Sequence, residues 1–356
     1  MHIAFYGSSL LSSYWNGAAT YYRGILSALA PLGHAITFYE PDAFERQQHR
    51  DIEPPAYARV VVYPATVAGL DDVLGQAGQA DVVVKASGVG VFDDELLAGI
   101  VARARPDALR VFWDVDAAAT LETVRGDATH PLRVILPALD AVLTYGGGPP
   151  VVAAYLALGA RRCVPVYNAL DPATHHPVPP DPRFAADLAF LANRLPDRER
   201  RVEQFFLDAA ARCPAEAFLL GGNGWHDKVM PGNVRAIGHV GTADHNAFNC
   251  SAQAVLNVAR DSMAEVGFSP ATRVFEAAGA GACLITDAWV GIELFLEPER
   301  EVLVARDGQD VAALLQALTP LRARTIGEAA RVRVLGEHTY AQRAAIVDRL
   351  IRTRFA

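Results

Sequence analysis

The side chains best suited to binding chemistry lie in residues 269–287, which read SPATRVFEAAGAGACLITD. Ser269 suits the N-cap of a helix, and Pro270 suits its first position. The backbone amides that follow, those of Ala271 and Thr272, then have no helical acceptor and point into the loop. A helix start of this kind binds anions, phosphate above all. The spacing therefore predicts a phosphate site.

Two charged side chains extend this prediction. Arg273 adds a guanidinium that can bind a phosphate through two hydrogen bonds, and Glu276 lies one turn farther on, within reach of a sugar hydroxyl. The same residues also fit a capped helix in which Glu276 only favours the positive helix end. Lysine occurs only at Lys85 and Lys228, so phosphate binding must rest on backbone amides and arginine. The arginines of interest are Arg194, Arg198, Arg260 and Arg273.

In the first half of the chain, charged side chains follow buried strands. Asp114 and Asp116 come at the end of one such strand. Asp114 is the best candidate for acid/base catalysis or for a sugar-hydroxyl contact, and Asp116 could act there or cap the next helix. Lys85 ends another strand, where it could bind a phosphate or an acceptor carboxylate, or pair with Asp114.

The loop after the first strand holds further polar candidates. Ser8 follows that strand in the sequence GSS, and no GxGxxG pattern occurs anywhere in the chain. That absence weakens the case for a dinucleotide-dependent oxidoreductase. Asn16 and Gly17 precede the first long helix, where they fit either an N-cap and turn or a contact with a ligand.

Composition limits the class of protein. A length of 356 residues favours two domains, and a net charge of −8 argues against a nucleic-acid or anionic-membrane binder. The N-terminus runs straight into a strand, and no apolar run approaches a membrane span, so we expect a cytoplasmic protein. The four cysteines form no CxxC pair. The adjacent His175 and His176 lie in a Pro-rich stretch, which predicts a linker rather than a metal site.

Short Val-rich runs alternate with helical patterns, which predicts two doubly wound, Rossmann-like α/β domains. The predicted strands are 2–6, 35–39, 59–63, 81–85, 110–113, 141–144 and 163–167, then 187–192, 217–220, 234–237, 254–257, 282–286 and 301–305. The main predicted helices are 18–32, 198–211, one from 270, and 340–353. Such domains place a ligand cleft at the carboxyl ends of their sheets.

The domain boundaries follow from a proline-rich break. We expect an N-terminal domain over residues 1–170, a hinge over 171–182 and a C-terminal domain over 183–339. The last helix, 340–356, follows a completed pattern and is expected to join the first domain.

The motifs in two of these regions resemble a known family. RVFEAAGAG (residues 273–281), followed by a strand that ends in Thr-Asp, resembles the donor-binding segment of nucleotide-sugar glycosyltransferases with the GT-B fold. The sequence is most similar to the CgeB-like, "glycosyl transferases group 1" enzymes. YWNGAATYYRG (residues 14–24) and NALDP (residues 168–172) also resemble segments of that group.

The resemblance implies that the second domain binds a nucleoside-diphosphate sugar, with UDP or TDP favoured. The amides of Ala271 and Thr272 and the side chain of Arg273 would stabilise the leaving diphosphate in place of a metal, and Glu276 would bind ribose or sugar hydroxyls. The other residues implied in donor binding are Arg194 and Arg198 at the diphosphate, Gly222 near the nucleotide, His239 at the base, Arg260 beside the sugar and Ser269 in the helix start.

One departure from the family leaves the stereochemistry open. Many retaining enzymes carry two glutamates eight positions apart; Glu276 matches the second, but the first position is Phe268, with Glu265 nearby. The first domain is expected to bind an acceptor, a small molecule, glycan or protein, with Ser8, Asn16, Gly17 and Lys85 in its cleft. A nucleotide-sugar epimerase or hydrolase, or a non-catalytic binding protein, would fit the same pattern.

Overall fold

The computed structural model describes residues 1–14 and 16–355. The chain divides into two compact domains, with the breaks after Asn168 and before Tyr340. The segment after the second break belongs to the first domain, so the chain crosses between the domains twice. Trp15, which is part of the 14–24 motif, lies outside the described residues.

The first domain is built on a parallel sheet, which has seven strands over the described residues. The strands are β1 (His2–Tyr6), β2 (Ala35–Asp42), β3 (Arg59–Pro64), β4 (Val82–Ala86), β5 (Leu109–Asp114), β6 (Ala141–Thr144) and β7 (Cys163–Pro165). Their order is β3-β2-β1-β4-β5-β6-β7. Every residue of β4 is buried, as expected of a parallel strand covered by helices on both faces.

Among the described residues, six α-helices connect these strands in chain order. They are α1 (Ala18–Leu29), α2 (Val67–Gly75), α3 (Asp93–Arg103), α4 (Ala117–Gly126), α5 (Pro131–Ile135) and α6 (Gly148–Ala157).

The second domain repeats the arrangement with six strands over the described residues, in the order β10-β9-β8-β11-β12-β13. The strands are β8 (Ala186–Leu191), β9 (Phe218–Gly221), β10 (Val234–Gly238), β11 (Ala252–Asn257), β12 (Leu284–Asp287) and β13 (Leu303–Ala305). The order reverses between β8 and β11, as it does between β1 and β4 in the first domain. Such reversal points are where open α/β sheets bind ligands, at the carboxyl ends of the strands.

Over the part of the chain that the structure describes, the second domain also contains seven α-helices. They are α7 (Pro196–Val202), α8 (Asp208–Arg212), α9 (His245–Ser251), α10 (Asp261–Val266), α11 (Thr272–Gly279), α12 (Gly308–Ala317) and α13 (Pro320–Glu337). A single π-helical turn, Glu203–Leu207, joins α7 to α8. The predicted α/β class and doubly wound arrangement of both domains are confirmed.

The last helix, α14 (Tyr340–Phe355), packs against α1 in the first domain, as predicted. A Cβ atom on Gly24 would lie 2.3 Å from the ring of Tyr340, so only glycine permits this close approach. Farther along, His34 Nε2 lies 2.8 Å from Asp348 Oδ1, and Arg352 donates to the carbonyl of Leu32 at 2.9 Å. Packing and polar contacts therefore both attach α14 to α1.

The Pro-rich segment is attached to the second domain. Asn246 on α9 donates to the carbonyl of Thr174 at 2.9 Å and accepts from the backbone amide of His176 at 3.3 Å. The amide of Asp181 donates to Ser251 Oγ at 2.8 Å. These contacts fix residues 174–181 along α9, and the predicted role of this segment as a hinge stays a prediction.

Candidate functional site

The start of α11 differs from the prediction. The N-cap is Ala271 and the helix begins at Thr272, not at Pro270. Ser269 does not cap it, because its hydroxyl donates to the carbonyl of Gly267 at 2.9 Å within the preceding turn. No side chain caps this helix start among the described residues. The anion site predicted at this helix start therefore stays a prediction, and it now involves the first backbone amides of a helix that begins two residues later than expected.

Arg273 lies on the first turn of α11 and points into the domain. Its Nε donates to the carbonyl of Leu191 at 2.8 Å, and its Nη1 donates to Asn257 Oδ1 at 3.0 Å. Its guanidinium also lies over the ring of Phe190, 5.3 Å from the centroid. Leu191 ends β8 and Asn257 ends β11, so Arg273 connects the two strands at which the sheet order reverses.

The positive charges of Arg273 and Arg198 together favour the binding of an anion. Burial, followed by repulsion from Arg198, lowers the pKa of Arg273 to about 10, against the opposing effect of Glu276. At neutral pH Arg273 is still a cation, and it lies close enough to the second cation to be destabilised by it. A diphosphate that contacts both guanidinium groups would relieve this repulsion.

A network of buried polar side chains contacts Arg273 through Asn257. Asn257 donates to Thr286 Oγ1 at 3.0 Å, and the neighbouring Asp287 accepts from the amide of Ala259 at 3.1 Å and from Arg201. Burial raises the pKa of Asp287, and the ion pair with Arg201 opposes that change. In the sequence, the Thr-Asp ending of β12 is the one motif that indicates this network, whose other members come from separate segments.

The structure places Arg194 in a different setting from Arg198. Its guanidinium lies 2.7 Å from Glu199 and 2.8 Å from Asp227, and it donates to the carbonyl of Gly224 at 3.2 Å. The hydrogen bond that Arg194 donates to Glu199, the largest influence, raises the pKa of Arg194. These contacts connect the loops after β8 and β9 at the carboxyl edge of the sheet. The predicted contact of Arg194 with a diphosphate stays a prediction.

Gly222 is required by the backbone of the loop after β9. Its φ is +117°, and a Cβ atom there would lie 2.1 Å from the carbonyl oxygen of Ala192. Its amide donates to the carbonyl of Gly238, the last residue of β10, at 2.6 Å. His239, the next residue, is exposed, and Arg260 is half-buried at the N-cap of α10. These residues therefore share the carboxyl edge of the second sheet.

Glu276 has two histidine neighbours that sequence analysis did not connect with it. The Nε2 of His175 lies 3.8 Å from Glu276 Oε1, and ligand-type atoms of His175, His245 and Glu276 all lie within 4.8 Å of one another. Burial lowers the pKa of His245, with Glu276 opposing. No local motif signals this cluster, because its members come from three separate segments. The linker role predicted for His175 and His176 stays a prediction.

In the first domain, Asp114 is fully buried. Its carboxylate accepts from the hydroxyls of Ser87 at 2.9 Å and Thr120 at 3.0 Å, from the amide of Asp116 at 3.0 Å, and from the hydroxyl of Tyr155. Burial raises its pKa, and the hydrogen bond from Tyr155 leads the opposing effects. This environment is that of a structural carboxylate and argues against the predicted acid/base role.

Asp116 and Lys85 also have settings that the sequence left open. Asp116 is half-buried at the N-cap position of α4, where its side chain does not cap the helix. Lys85 is buried, and its ammonium pairs with Asp93 rather than with Asp114. Asp93 also accepts from the amides of Val89 and Gly90, so Lys85 fixes the loop after β4. Asp116 is therefore the more accessible acid/base candidate.

The loop after β1 is tied together by its own polar groups. Ser8 Oγ donates to Asn16 Oδ1 at 3.0 Å, and the side-chain Nδ2 of Asn16 donates to the carbonyls of Ser9 at 2.9 Å and Ser12 at 3.2 Å. Ser8 and Asn16 are both buried, and Gly17 is the N-cap of α1. The structure thus supports the structural alternative for Asn16, while an acceptor role for this loop stays a prediction.

Known proteins resemble this chain in sequence over part of its length and in fold over all of it. Residues 198–348 match the family described as "Glycosyl transferase-like". No curated protein matches the sequence. No helix among the described residues combines the length and the apolar character that crossing a membrane requires.

Solved structures show the fold. Sucrose-phosphate synthase from Thermosynechococcus elongatus is 16% identical, with a TM-score of 0.69 over 100% of this chain and 99% of that one. HepE of Anabaena in complex with UDP is 15% identical, with a TM-score of 0.70 over 99% and 100%. An α-glucosyltransferase in complex with UDP is 10% identical, with a TM-score of 0.71 over 99% of each chain. The predicted resemblance to glycosyltransferases with the GT-B fold is confirmed, whereas the CgeB-like subgroup stays a prediction.

Proposed function

We propose that this protein transfers a sugar from a nucleoside-diphosphate sugar to an acceptor, and that its second domain binds the donor. The observation that carries the proposal is the guanidinium of Arg273 on the first turn of α11, a helix start that no side chain caps among the described residues. Arg198, on α7, is a second cation whose charge acts on Arg273. The family match over residues 198–348 and the UDP in two solved structures of similar fold support it.

Sugar transfer requires positive charge beside the diphosphate oxygen that leaves the sugar. When the bond between the sugar's anomeric carbon and the diphosphate oxygen breaks, that oxygen takes the electron pair and gains negative charge. Arg198, Arg273 and the amides of Thr272 and Arg273 would stabilise this charge without a divalent metal ion. Glu276, one turn farther along α11, would accept hydrogen bonds from ribose or sugar hydroxyls.

The acceptor is assigned to the first domain. Its nucleophilic oxygen forms the new bond to the anomeric carbon and loses a proton to a base. Asp116 is the carboxylate that we assign to this proton, because Asp114 has its oxygens occupied by four donors. UDP or TDP is the favoured nucleotide of the donor.

The donor site is tested by UDP binding, measured by calorimetry. Arg198→Ala and Arg273→Lys should each weaken UDP binding about tenfold or more, because a hydrogen bond to a charged group contributes about 1.5–3 kcal/mol. Arg324→Ala, at an exposed position of α13, is the matched control and should leave affinity unchanged. Unchanged UDP affinity in both Arg198→Ala and Arg273→Lys would contradict the assignment.

Product analysis tests the reaction. Incubation with UDP-glucose alone should leave the donor largely intact, and turnover with an acceptor should persist in EDTA. Rapid release of free sugar or an epimer from donor alone would indicate a hydrolase or an epimerase. UDP binding without turnover on any acceptor would indicate a binding protein, and loss of turnover in EDTA would contradict metal-independent transfer.

A further inference from the structure

Three elements of the second domain bring His175, His245 and Glu276 together. His175 lies in the segment along α9, His245 is the first residue of α9, and Glu276 lies on α11. Their ligand-type atoms lie within 4.8 Å of one another. His175 is buried, and the Glu276 side chain is 19% exposed. The cluster is therefore sheltered but open to a small solute.

The position of His175 is fixed by the backbone on both sides of it. Its own amide donates to the carbonyl of Asp171 at 3.0 Å, which closes a single turn. Asn246, the residue after His245, holds the backbone of Thr174 and His176 through the two hydrogen bonds described above. One side chain of α9 thus sets the distance between the two imidazoles.

The outer hydrogen bonds orient both imidazole rings. The Thr174 hydroxyl donates to the carbonyl of Asp171 at 3.2 Å, and its oxygen lies 3.0 Å from His175 Nδ1. We therefore assign the proton of the neutral ring to Nδ1, which leaves the lone pair of Nε2 facing the Glu276 carboxylate. His245 is hydrogen-bonded to the backbone of Val240. Two acceptors that face each other repel, and a cation between them, either a proton or a metal ion, removes this repulsion.

We propose that His175, His245 and Glu276 form a binding site for a divalent transition-metal ion, and that Zn²⁺ is the ion that suits it best. Two imidazoles and one carboxylate are a common zinc ligand set, and a hydrogen bond on the far side of each ring is typical of metal-bound histidine. Zinc bonds of about 2.0–2.2 Å in a tetrahedral site separate ligand atoms by roughly 3.4 Å. The 3.8 Å between His175 Nε2 and Glu276 Oε1 is close to that separation.

Metal binding would have a consequence for the donor, and this consequence rests on the proposed function. Glu276 cannot direct the same carboxylate oxygens to a Zn²⁺ ion and to sugar or ribose hydroxyls. Zn²⁺ bound here would therefore compete with the nucleotide sugar and inhibit transfer, although transfer itself uses no metal.

The metal site is tested with ZnCl₂ by calorimetry, and with Co²⁺ by absorption spectroscopy, on the full chain after dialysis against EDTA. His175→Ala and His245→Ala should each weaken Zn²⁺ binding at least tenfold, and Thr174→Val should weaken it about tenfold through the outer hydrogen bond. His176→Ala is the matched control, because His176 is adjacent but exposed, and it should retain wild-type affinity. Circular dichroism confirms that each variant folds.

Each outcome bears on one claim. Equal Zn²⁺ affinity in wild type and in the His175→Ala, His245→Ala double variant would overturn the metal site. If Zn²⁺ and UDP-glucose both bind and neither weakens the other, the competition is wrong. If Zn²⁺ binds as expected but no nucleoside diphosphate binds with or without it, the metal site stands and the proposed function fails.

Discussion

Arg273 connects two strands of the second sheet and is also the residue that we propose to bind the diphosphate. Two of its nitrogens connect the ends of β8 and β11, and burial together with Arg198 lowers its pKa to about 10. Lysine cannot reproduce this arrangement, because it lacks the planar fork that reaches several acceptors at once. Substitution of Arg273 should therefore reduce both stability and UDP affinity, whereas substitution of Arg198 reports more directly on binding.

For Asp114 we predict an effect of substitution on stability and no effect on turnover. Asp114→Asn should destabilise the first domain by about 1–3 kcal/mol. The NH₂ group of the asparagine side chain is a donor, and it would face hydroxyl and backbone N–H groups that already donate to Asp114. Urea unfolding measures the loss, with Glu122→Gln, an exposed residue of α4, as the control. Turnover per folded molecule should be unchanged. A stable Asp114→Asn variant without turnover would restore the acid/base role to Asp114.

Sequence analysis identified single residues where the signal was local. Arg273 and Glu276 stand out because a helix start, an arginine and a carboxylate follow one another within a few positions. The partners of Lys85, Asp114 and His175 were not predictable, because each contact depends on how separate segments pack. Asn257 carries no motif at all, although it receives a hydrogen bond from Arg273.

At the scale of elements, the alternation of buried strands and helices was readable because parallel strands covered on both faces leave continuous apolar runs. The first and last residues of the strands and helices were less predictable. β7 stops at Pro165, two residues before its predicted end, and α11 begins after Pro270 instead of on it. In both places a proline, which has no amide to donate, lies at the boundary.

The loop between β9 and β10 allows an element-scale prediction. Gly222→Ala would place a methyl group 2.1 Å from the carbonyl oxygen of Ala192 at a φ of +117°, so the loops after β8 and β9 must separate. We expect a loss of about 1–3 kcal/mol in stability and weaker UDP binding. Thermal unfolding and calorimetry measure these two effects. Gly232→Ala, where a Cβ atom meets nothing within 4 Å, is the control; similar behaviour of both variants would contradict the interpretation.

At the scale of the whole molecule, two domains repeat one strand order, and α14 returns to the first of them. The repetition was expected from the pattern of strands and the Pro-rich break. The attachment of the 174–181 segment to α9 was not expected, because a proline-rich composition indicates an extended chain but does not reveal what that chain packs against.

The α14 contact predicts a dependence of stability on pH. Hydrogen bonds from Arg352, first, and from His34 lower the pKa of Asp348 in the folded protein. A carboxylate with a lowered folded pKa stabilises the fold above its unfolded pKa, about 3.9, and this stability is lost as the pH falls through the folded value. Asp348→Asn should cost about 1 kcal/mol at pH 7, and less below pH ~3.5.

Urea unfolding of the first domain at both pH values measures this effect. Asp72→Asn, at an exposed position of α2 in the same domain, should show no such dependence. An Asp348→Asn deficit that is the same at both pH values would contradict the assigned ion pairs.

The return of α14 also sets an order of events during synthesis. The first domain's residues up to 168 leave the ribosome long before α14, and the whole of the second domain is translated in between. The face of α1 that α14 covers, including the space above Gly24, therefore stays open while about 170 further residues are made, which takes roughly 10 to 30 seconds at about 5–20 residues per second. The domain that begins the chain is thus the last to finish folding, and its nascent form is a candidate client for chaperones.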